Sequence, residues 1–166
     1  MFIVHPFPPF FDKDSKILIL GSFPSARSRE EGFFYGHPQN RFWRVVSSVF
    51  QEKTPADIAE KKEFLTRAHI ALWDVIAGCE ISGSSDSSIK NATVNDLSPI
   101  LEKADIKAIF TNGKTAFRLY EKFTLKNTAR PAVYLPSTSP ANAAFSADRL
   151  TQVWKETIGE CLKTEN

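Results

Sequence analysis

Lys16-Ile17-Leu18-Ile19-Leu20-Gly21-Ser22-Phe23-Pro24-Ser25 enters an apolar run through a lysine and leaves it in a turn of small and polar residues. Apolar residues without polar alternation predict a strand covered on both faces, as in a parallel sheet. The turn behind it falls at the strand's carboxyl end, the edge at which open α/β sheets hold their ligands. Three further runs have the same character: 70–75 (Ile-Ala-Leu-Trp-Asp-Val), 107–111 (Lys-Ala-Ile-Phe-Thr) and 131–135 (Pro-Ala-Val-Tyr-Leu).

Helical patterns separate and follow these runs. In 41–50, Phe42, Val45, Val46, Val49 and Phe50 recur at the spacing of one helix face. Residues 56–67 and 95–104 read as helices with polar faces, and 114–123 brings Phe117 and Tyr120 together. The last helix is marked by Leu150, Val153, Trp154, Ile158, Cys161 and Leu162, with Ser146 as its N-cap. Strands alternating with helices predict an α/β fold: a three-layer α/β/α sandwich with a four-stranded, mainly parallel sheet. Residues 1–166 read as a single domain, with 1–15 as an irregular Pro/Phe arm and Ser82–Ser88 as a low-complexity loop.

Composition narrows the class. The chain has 166 residues, 42% hydrophobic and 24% charged, with a formal net charge of +2. That charge is too small to argue for nucleic acid unaided, although a local patch can serve. No apolar run approaches the ~18 residues of a membrane span. Met1 to Pro9 lacks the basic start of a secretory signal, so a cytoplasmic protein is expected, nucleoid-associated if prokaryotic. Cys79 and Cys161 are the only cysteines and form no C-x-x-C pattern, which predicts neither a structural zinc nor an iron–sulfur cluster. Fourteen phenylalanines are many for this length, and five fall within the first 23 residues, as expected of an arm laid over a core.

In a parallel sheet the segments after each strand share one edge. Four distant stretches should therefore converge there: Gly21–Asn40, Val75–Asn91, Asn112–Thr115 and Pro136–Asn142. Their chemistry resides in Ser22, Phe23, Tyr35, His37, Asn40, Asp74 at the second run's mouth, Asn112 and the loop Ser137-Thr138-Ser139-Pro140-Ala141-Asn142. Aromatic rings beside neutral amides suit a planar, hydrogen-bonding ligand such as a nucleobase. A serine hydrolase is disfavoured because Gly-x-Ser-x-Gly is absent. Gly113-Lys114-Thr115 lacks the earlier glycine of a P-loop. Each residue also has a plainer reading: Asn40 as a helix cap, Tyr35 as core, His37 as a partner within its own turn, and Asp74 and Asn112 as turn formers.

Three segments together are specific. Gly21-Ser22-Phe23-Pro24-Ser25, then His37-Pro38-Gln39-Asn40-Arg41-Phe42-Trp43, then Leu135-Pro136-Ser137-Thr138-Ser139-Pro140 resemble the uracil-DNA glycosylase superfamily, nearest its hypoxanthine-DNA (deoxyinosine) branch. The resemblance spans nearly the whole chain, from His5-Pro6-Phe7-Pro8-Pro9 to the last helix, and takes in Leu72-Trp73-Asp74-Val75 and Asp86-Ser87-Ser88-Ile89. Mismatch-specific uracil glycosylases share the His-Pro-x-Asn-Arg-Phe-Trp string but carry a catalytic Asn in Gly-x-Asn-Pro, where this chain has Phe23.

What the resemblance implies is a monofunctional DNA glycosylase of base-excision repair that flips a deaminated base out of DNA and needs no cofactor, metal, membrane or obligate protein partner. No lysine is expected at the site to form a Schiff base. Asn40 would be catalytic, holding water beneath the sugar. Asp74 matches the base-reading Asn of uracil-specific relatives, and Ser22, Phe23, Tyr35 and Asn112 would complete the base pocket. Ser137, Thr138, Ser139, Ala141 and Asn142 would contact the DNA backbone and press on the gap left by the flipped base. The alternatives are a uracil or mismatch-specific glycosylase, a catalytically silent nucleic-acid-binding module and, more distantly, an acyl hydrolase.

Overall fold

The computed structural model describes residues 1–164. Its elements are β1 (Phe2–Val4), β2 (Ile17–Gly21), α1 (Ala26–Glu31), α2 (Phe42–Val49), α3 (Ile58–Ala68), β3 (Ile70–Asp74), β4 (Ile76–Glu80), β5 (Lys90–Val94), α4 (Ser98–Lys103), β6 (Ala108–Asn112), α5 (Lys114–Leu119), α6 (Leu125–Thr128), β7 (Val133–Leu135) and α7 (Ala147–Thr164). All four anticipated strands form one sheet in the order β3-β2-β6-β7, every pairing parallel. β2 and β3 are buried at every residue, as their unbroken apolar runs require. β7 starts two residues later than expected, at Val133; Pro131 has no N–H to offer a ladder.

Helices cover the sheet in an α/β/α sandwich. α2 packs on α7, α3 on β3, and α5 on β6 and β7. Trp154 and Phe42 are fully buried where α7 meets α2, with ring centroids 5.9 Å apart. Ser146 caps α7 as expected, its Oγ accepting from Arg149 N–H at 3.1 Å. None of the described helices is long and apolar enough to cross a membrane.

Two features depart from the expectation. Residues 76–94, where only Ser82–Ser88 reads as a loop from sequence, hold two further strands: β4 and β5 pair antiparallel, and β1 adds to β4, making a three-stranded sheet β1-β4-β5. The arm is therefore not wholly irregular. Phe2 lies over Gly78, where an added Cβ would come within 2.7 Å of the ring, so the glycine admits the arm. Further along, Phe10 exchanges two backbone hydrogen bonds with Leu72 of β3, at 3.0 and 2.9 Å, and closes that edge of the main sheet. These strands escape sequence reading because β5 is half-exposed and the stretch before it is a run of serine and glycine. Helix α1 was likewise not anticipated; Ser25 caps it and Gly32, at φ +76°, ends it.

The strand order fixes where a ligand can sit. From β2 the chain first adds β3 on one side, then crosses to add β6 on the other. The crevice of such a sheet opens at the carboxyl ends of the two strands flanking the reversal, here at Gly21 and Asn112.

Candidate active site

A cleft of about 740 Å³ opens at that point, within the ~300–1,000 Å³ usual for small-molecule sites. It receives every site residue anticipated from the sequence: Asn40, then Ser22, Phe23, Tyr35, Asp74 and Asn112, then Ser137, Thr138, Ser139, Ala141 and Asn142. His37 lines it too, but its Nδ1 accepts from Gln39 N–H at 3.1 Å, the within-turn role of the plainer reading. Lys114 also lines the cleft, at an exposed position.

Asn40 is tied down on one side. Its Oδ1 accepts from Phe42 N–H at 2.9 Å and from the Thr138 hydroxyl at 2.8 Å. The cap reading is thus correct in part, since the amide oxygen does serve the start of α2. Two donors occupy both lone pairs of that oxygen and fix which way the amide faces. The Nδ2 group remains as the donor that Asn40 can offer. Thr138 is fully buried and is held in turn by Asn112, whose Oδ1 accepts from Thr138 N–H at 3.1 Å and whose Nδ2 donates to Thr138 Oγ1 at 3.0 Å.

Asp74, at the end of β3, is 3% exposed. Its Oδ2 pairs with His5 Nε2 at 2.7 Å, and its Oδ1 lies over Gly21, only 2.5 Å from where a Cβ would be. The Tyr35 hydroxyl would be 2.9 Å from the same Cβ. Gly21 is needed here for close approach. Tyr35 itself has φ +52° and stacks on Phe42 with centroids 4.0 Å apart and planes 15° apart. Its hydroxyl is buried without a hydrogen bond of good geometry, and burial, then the charge of Asp74, push its pKa far up. It stays a neutral phenol.

Phe23 lines the cleft but is only 8% exposed. It packs with Ile76 and Cys79 against the second sheet, with the Arg29 guanidinium 5.7 Å above its ring. Ser22 donates from Oγ to Asp86 Oδ1 at 2.8 Å, which binds the 82–88 loop to the first turn. Ala26 N–H donating to Ser84 Oγ at 2.9 Å adds a second tie. Asp86 is exposed as a residue, but its carboxylate turns into the cleft; loss of hydration there raises its pKa, and the Ser22 hydrogen bond pulls the other way.

The loop over 136–145 is stitched from within and clamped from outside. Asn142 Nδ2 donates to Ser137 O at 2.9 Å, and Ser139 and Ala141 N–H donate to the Ser137 and Ser139 hydroxyls, each at 3.1 Å. Arg41 donates to the carbonyls of Thr138, Ser139, Asn142 and Phe145. Ala141 is exposed at the tip.

Sequence reasoning missed His5, Arg41 and Asp86. Each lay inside a segment already singled out, but nothing in its spacing gave it a role. Among the described residues, no group of three or more His, Cys, Asp or Glu side chains is arranged to hold a metal ion.

The profile described as the Uracil DNA glycosylase superfamily matches residues 8–158. A protein of Methanosarcina acetivorans described as hypoxanthine DNA glycosylase is 38% identical over 150 residues, 89% of this chain and 93% of that one. One of Methanosarcina barkeri with the same description is 37% identical over 110 residues, 65% of this chain and 70% of that one. The solution NMR structure of a protein described as a "putative Uracil DNA glycosylase" from Methanosarcina acetivorans superimposes with a TM-score of 0.80 at 34% identity, covering 97% of this chain and 99% of that one. With the family match running through all three motif segments and most of the last helix, the chain belongs to the uracil DNA glycosylase superfamily.

Proposed function

We propose that the protein is a monofunctional DNA glycosylase that releases hypoxanthine from deoxyinosine in DNA. One observation carries the base choice: a nearly buried carboxylate, Asp74, lies in the cleft with one oxygen bound to His5 and the other beside Gly21. Hypoxanthine presents an N1–H donor where adenine presents an N1 acceptor. A carboxylate there favours the deaminated base and leaves adenine facing an unmatched acceptor, a difference on the order of 1–3 kcal/mol. The descriptions of the two curated Methanosarcina relatives support the same base.

A duplex hides the glycosidic bond, so the nucleotide is first extruded into the cleft, at a cost of a few kcal/mol that is least for a weakly paired base. The C1′–N9 bond then breaks and its electron pair leaves with the base. Backbone N–H groups of the 22–25 turn stabilise that charge as it forms. Asn40 Nδ2 donates to one lone pair of a water beneath the sugar, and the other lone pair attacks C1′ of the cation. The water loses its proton to solvent after the C–O bond has formed, so the amide need only position the water. The loop 137–142, tipped by Ala141, grips the DNA backbone on either side of the flipped nucleotide. A base-excision enzyme of this kind works in the cytoplasm and, if the source is prokaryotic, on the nucleoid.

The test is a set of duplexes that each carry one deaminated base. Strand breakage after alkali only at deoxyinosine, lost by orders of magnitude in Asn40→Ala with DNA binding retained, is expected. Breakage at deoxyuridine instead would reassign the base. Breakage without alkali, with a borohydride-trapped protein–DNA adduct that Lys114→Ala abolishes, would make Lys114 the amine of a bifunctional enzyme.

A further inference from the structure

His5 does not line the cleft, yet it touches the residue on which base choice rests. Its Nε2 is 2.7 Å from Asp74 Oδ2, and the two side chains are 3% and 5% exposed. The rings of Trp73, Phe7, Phe23 and Phe34 surround the imidazole, with centroids 4.4, 4.6, 5.9 and 6.3 Å away. Its Nδ1 is buried without a partner. The backbone holds it in place: His5 N–H donates to Ala77 O at 2.8 Å, next to the pairing of Val4 with Gly78.

Two proton arrangements fit a contact of this length. If Asp74 were the neutral donor, a neutral imidazole would carry its proton on Nδ1, as a buried N–H with nothing to receive it. Such orphaned donors are rare in native structures and cost about 1–3 kcal/mol. If Nε2 carries the proton, Asp74 is the charged acceptor and only an unused lone pair faces the rings. The unpartnered Nδ1 therefore selects the second arrangement.

The groups that face Asp74 come from three segments: His5 from the arm, the neutral Tyr35 phenol from the turn before α2, and the Asp86 carboxylate from the 82–88 loop. Asp86 opposes a charge on Asp74. Among the described residues, His5 alone gives the Asp74 carboxylate a hydrogen bond.

We infer that His5 is the positioning residue that sets base choice, its Nε2–H holding Asp74 as an ionised acceptor so that Oδ1 reads the N1–H of hypoxanthine and opposes the N1 of adenine. The inference rests on the proposed hypoxanthine reading. Without the Nε2 donor, Oδ2 is left as a buried acceptor with no hydrogen bond and with the charge of Asp86 opposing its own, which disfavours the ionised form. A neutral carboxyl can turn its O–H toward the base, which suits adenine N1, and is a weaker acceptor for the N1–H of hypoxanthine.

The experiment compares wild type, His5→Gln and His5→Phe in the full chain. Single-turnover excision is measured on deoxyinosine and deoxyadenosine, each placed opposite a tetrahydrofuran spacer so that pairing strength does not enter, from about pH 5.5 to about pH 9. His5→Gln retains an N–H donor at matching reach and is expected to follow wild type within a few-fold. His5→Phe keeps the aromatic packing without the donor. Its hypoxanthine rate is expected to fall roughly 10- to 100-fold below wild type, with the loss and the weakening of discrimination against adenine both greatest at the low-pH end. A merely structural role gives no such profile. A folded His5→Phe protein with wild-type rates and a wild-type pH profile overturns the inference. Should His5→Phe not fold, imidazole ¹⁵N shifts of the wild type decide: a proton on Nε2 is expected, and a neutral ring protonated on Nδ1 overturns the inference. Wild type inactive on deoxyinosine defeats the functional reading itself, whereas active wild type with an indifferent His5→Phe defeats only the role of His5.

Discussion

Thr138 donates its hydroxyl hydrogen to Asn40 Oδ1 at 2.8 Å, joining residues 98 apart in sequence. The contact links two of the three motif segments, and Asn112 locks it from the end of β6 with hydrogen bonds to both the backbone and the hydroxyl of Thr138. The position of the Asn40 amide is thus set by three strand-end segments together. Preorganisation of this kind matters because displacement by about 1 Å can cost about 100-fold in rate.

Thr138→Val tests that lock. The substitution keeps the shape but removes the donor to Asn40 and the acceptor for Asn112 Nδ2. A buried amide left unpaired costs about 1–3 kcal/mol of stability. Excision of hypoxanthine is expected to fall about 10- to 100-fold, with binding to abasic-site DNA nearly unchanged. Thermal melts, single-turnover rates and binding titrations check this. An unchanged rate in the destabilised variant would remove the lock from the mechanism.

Arg41 gives a different signature. Its guanidinium is spent on four carbonyls of the 138–145 loop, not on solvent. A lysine is a point donor and cannot span that fork. Arg41→Lys is expected to weaken binding of deoxyinosine DNA about tenfold by loosening the loop, while the salt dependence of binding keeps its slope. Arg41→Gln, which also removes the charge, is expected to keep that slope too; a slope reduced by about one unit in Arg41→Gln would mean that Arg41 neutralises a phosphate.

How much of this was legible in the sequence follows from which physical signals survive in a string of residues. β2, β3, β6 and α7 were legible because apolar runs and one helical stripe outweigh everything local. Convergence of the site residues followed from parallel topology alone, before any side chain was placed. β1, β4 and β5 were not legible: their burial is partial, and β1 makes its fold contacts with residues some 75 positions away, with Ile3 opposite Cys79. His5 carried no periodic signal within a Pro/Phe arm, and Asp86 was hidden among serines. Phe23 was legible as a departure from its relatives, but its packing against the second sheet depended on a sheet that had not been foreseen.

Asp86 gives a stability prediction with a definite sign. Its pKa is raised in the folded state, chiefly by loss of hydration, with Asp74 adding to the rise. The folded state thus binds this proton more tightly than the unfolded chain. The favourable contribution is complete below the ordinary Asp value of about 3.9 and is lost as pH rises through the higher folded value. Asp86→Asn keeps an acceptor for the Ser22 hydroxyl and removes the charge. It is expected to raise Tm at pH ~7, with the gain vanishing toward pH ~4. A Tm difference that is the same at both pH values would show that charge is not the cause.

Phe23 stands where the mismatch-specific uracil glycosylases carry a catalytic amide. It lines the cleft, yet most of its ring is engaged by Ile76, Cys79 and Arg29, so base choice and packing have to be separated. Two substitutions do this. Phe23→Leu keeps apolar bulk and removes the aromatic face, whereas Phe23→Asn restores the amide and loses packing, at a cost of about 3–5 kcal/mol if it resembles other large core truncations. If the ring face stacks on a bicyclic base, Phe23→Leu lowers hypoxanthine release several-fold with little loss of stability. Phe23→Asn lowers it further and gains measurable uracil release from mispairs, the amide supplying a second water-positioning group. Single-turnover rates on paired deoxyinosine and deoxyuridine duplexes, with melts of both variants, provide the comparison. Hypoxanthine release at the wild-type rate in folded Phe23→Leu would make Phe23 a packing residue of the second sheet, and base choice would then rest on Asp74 and its partner.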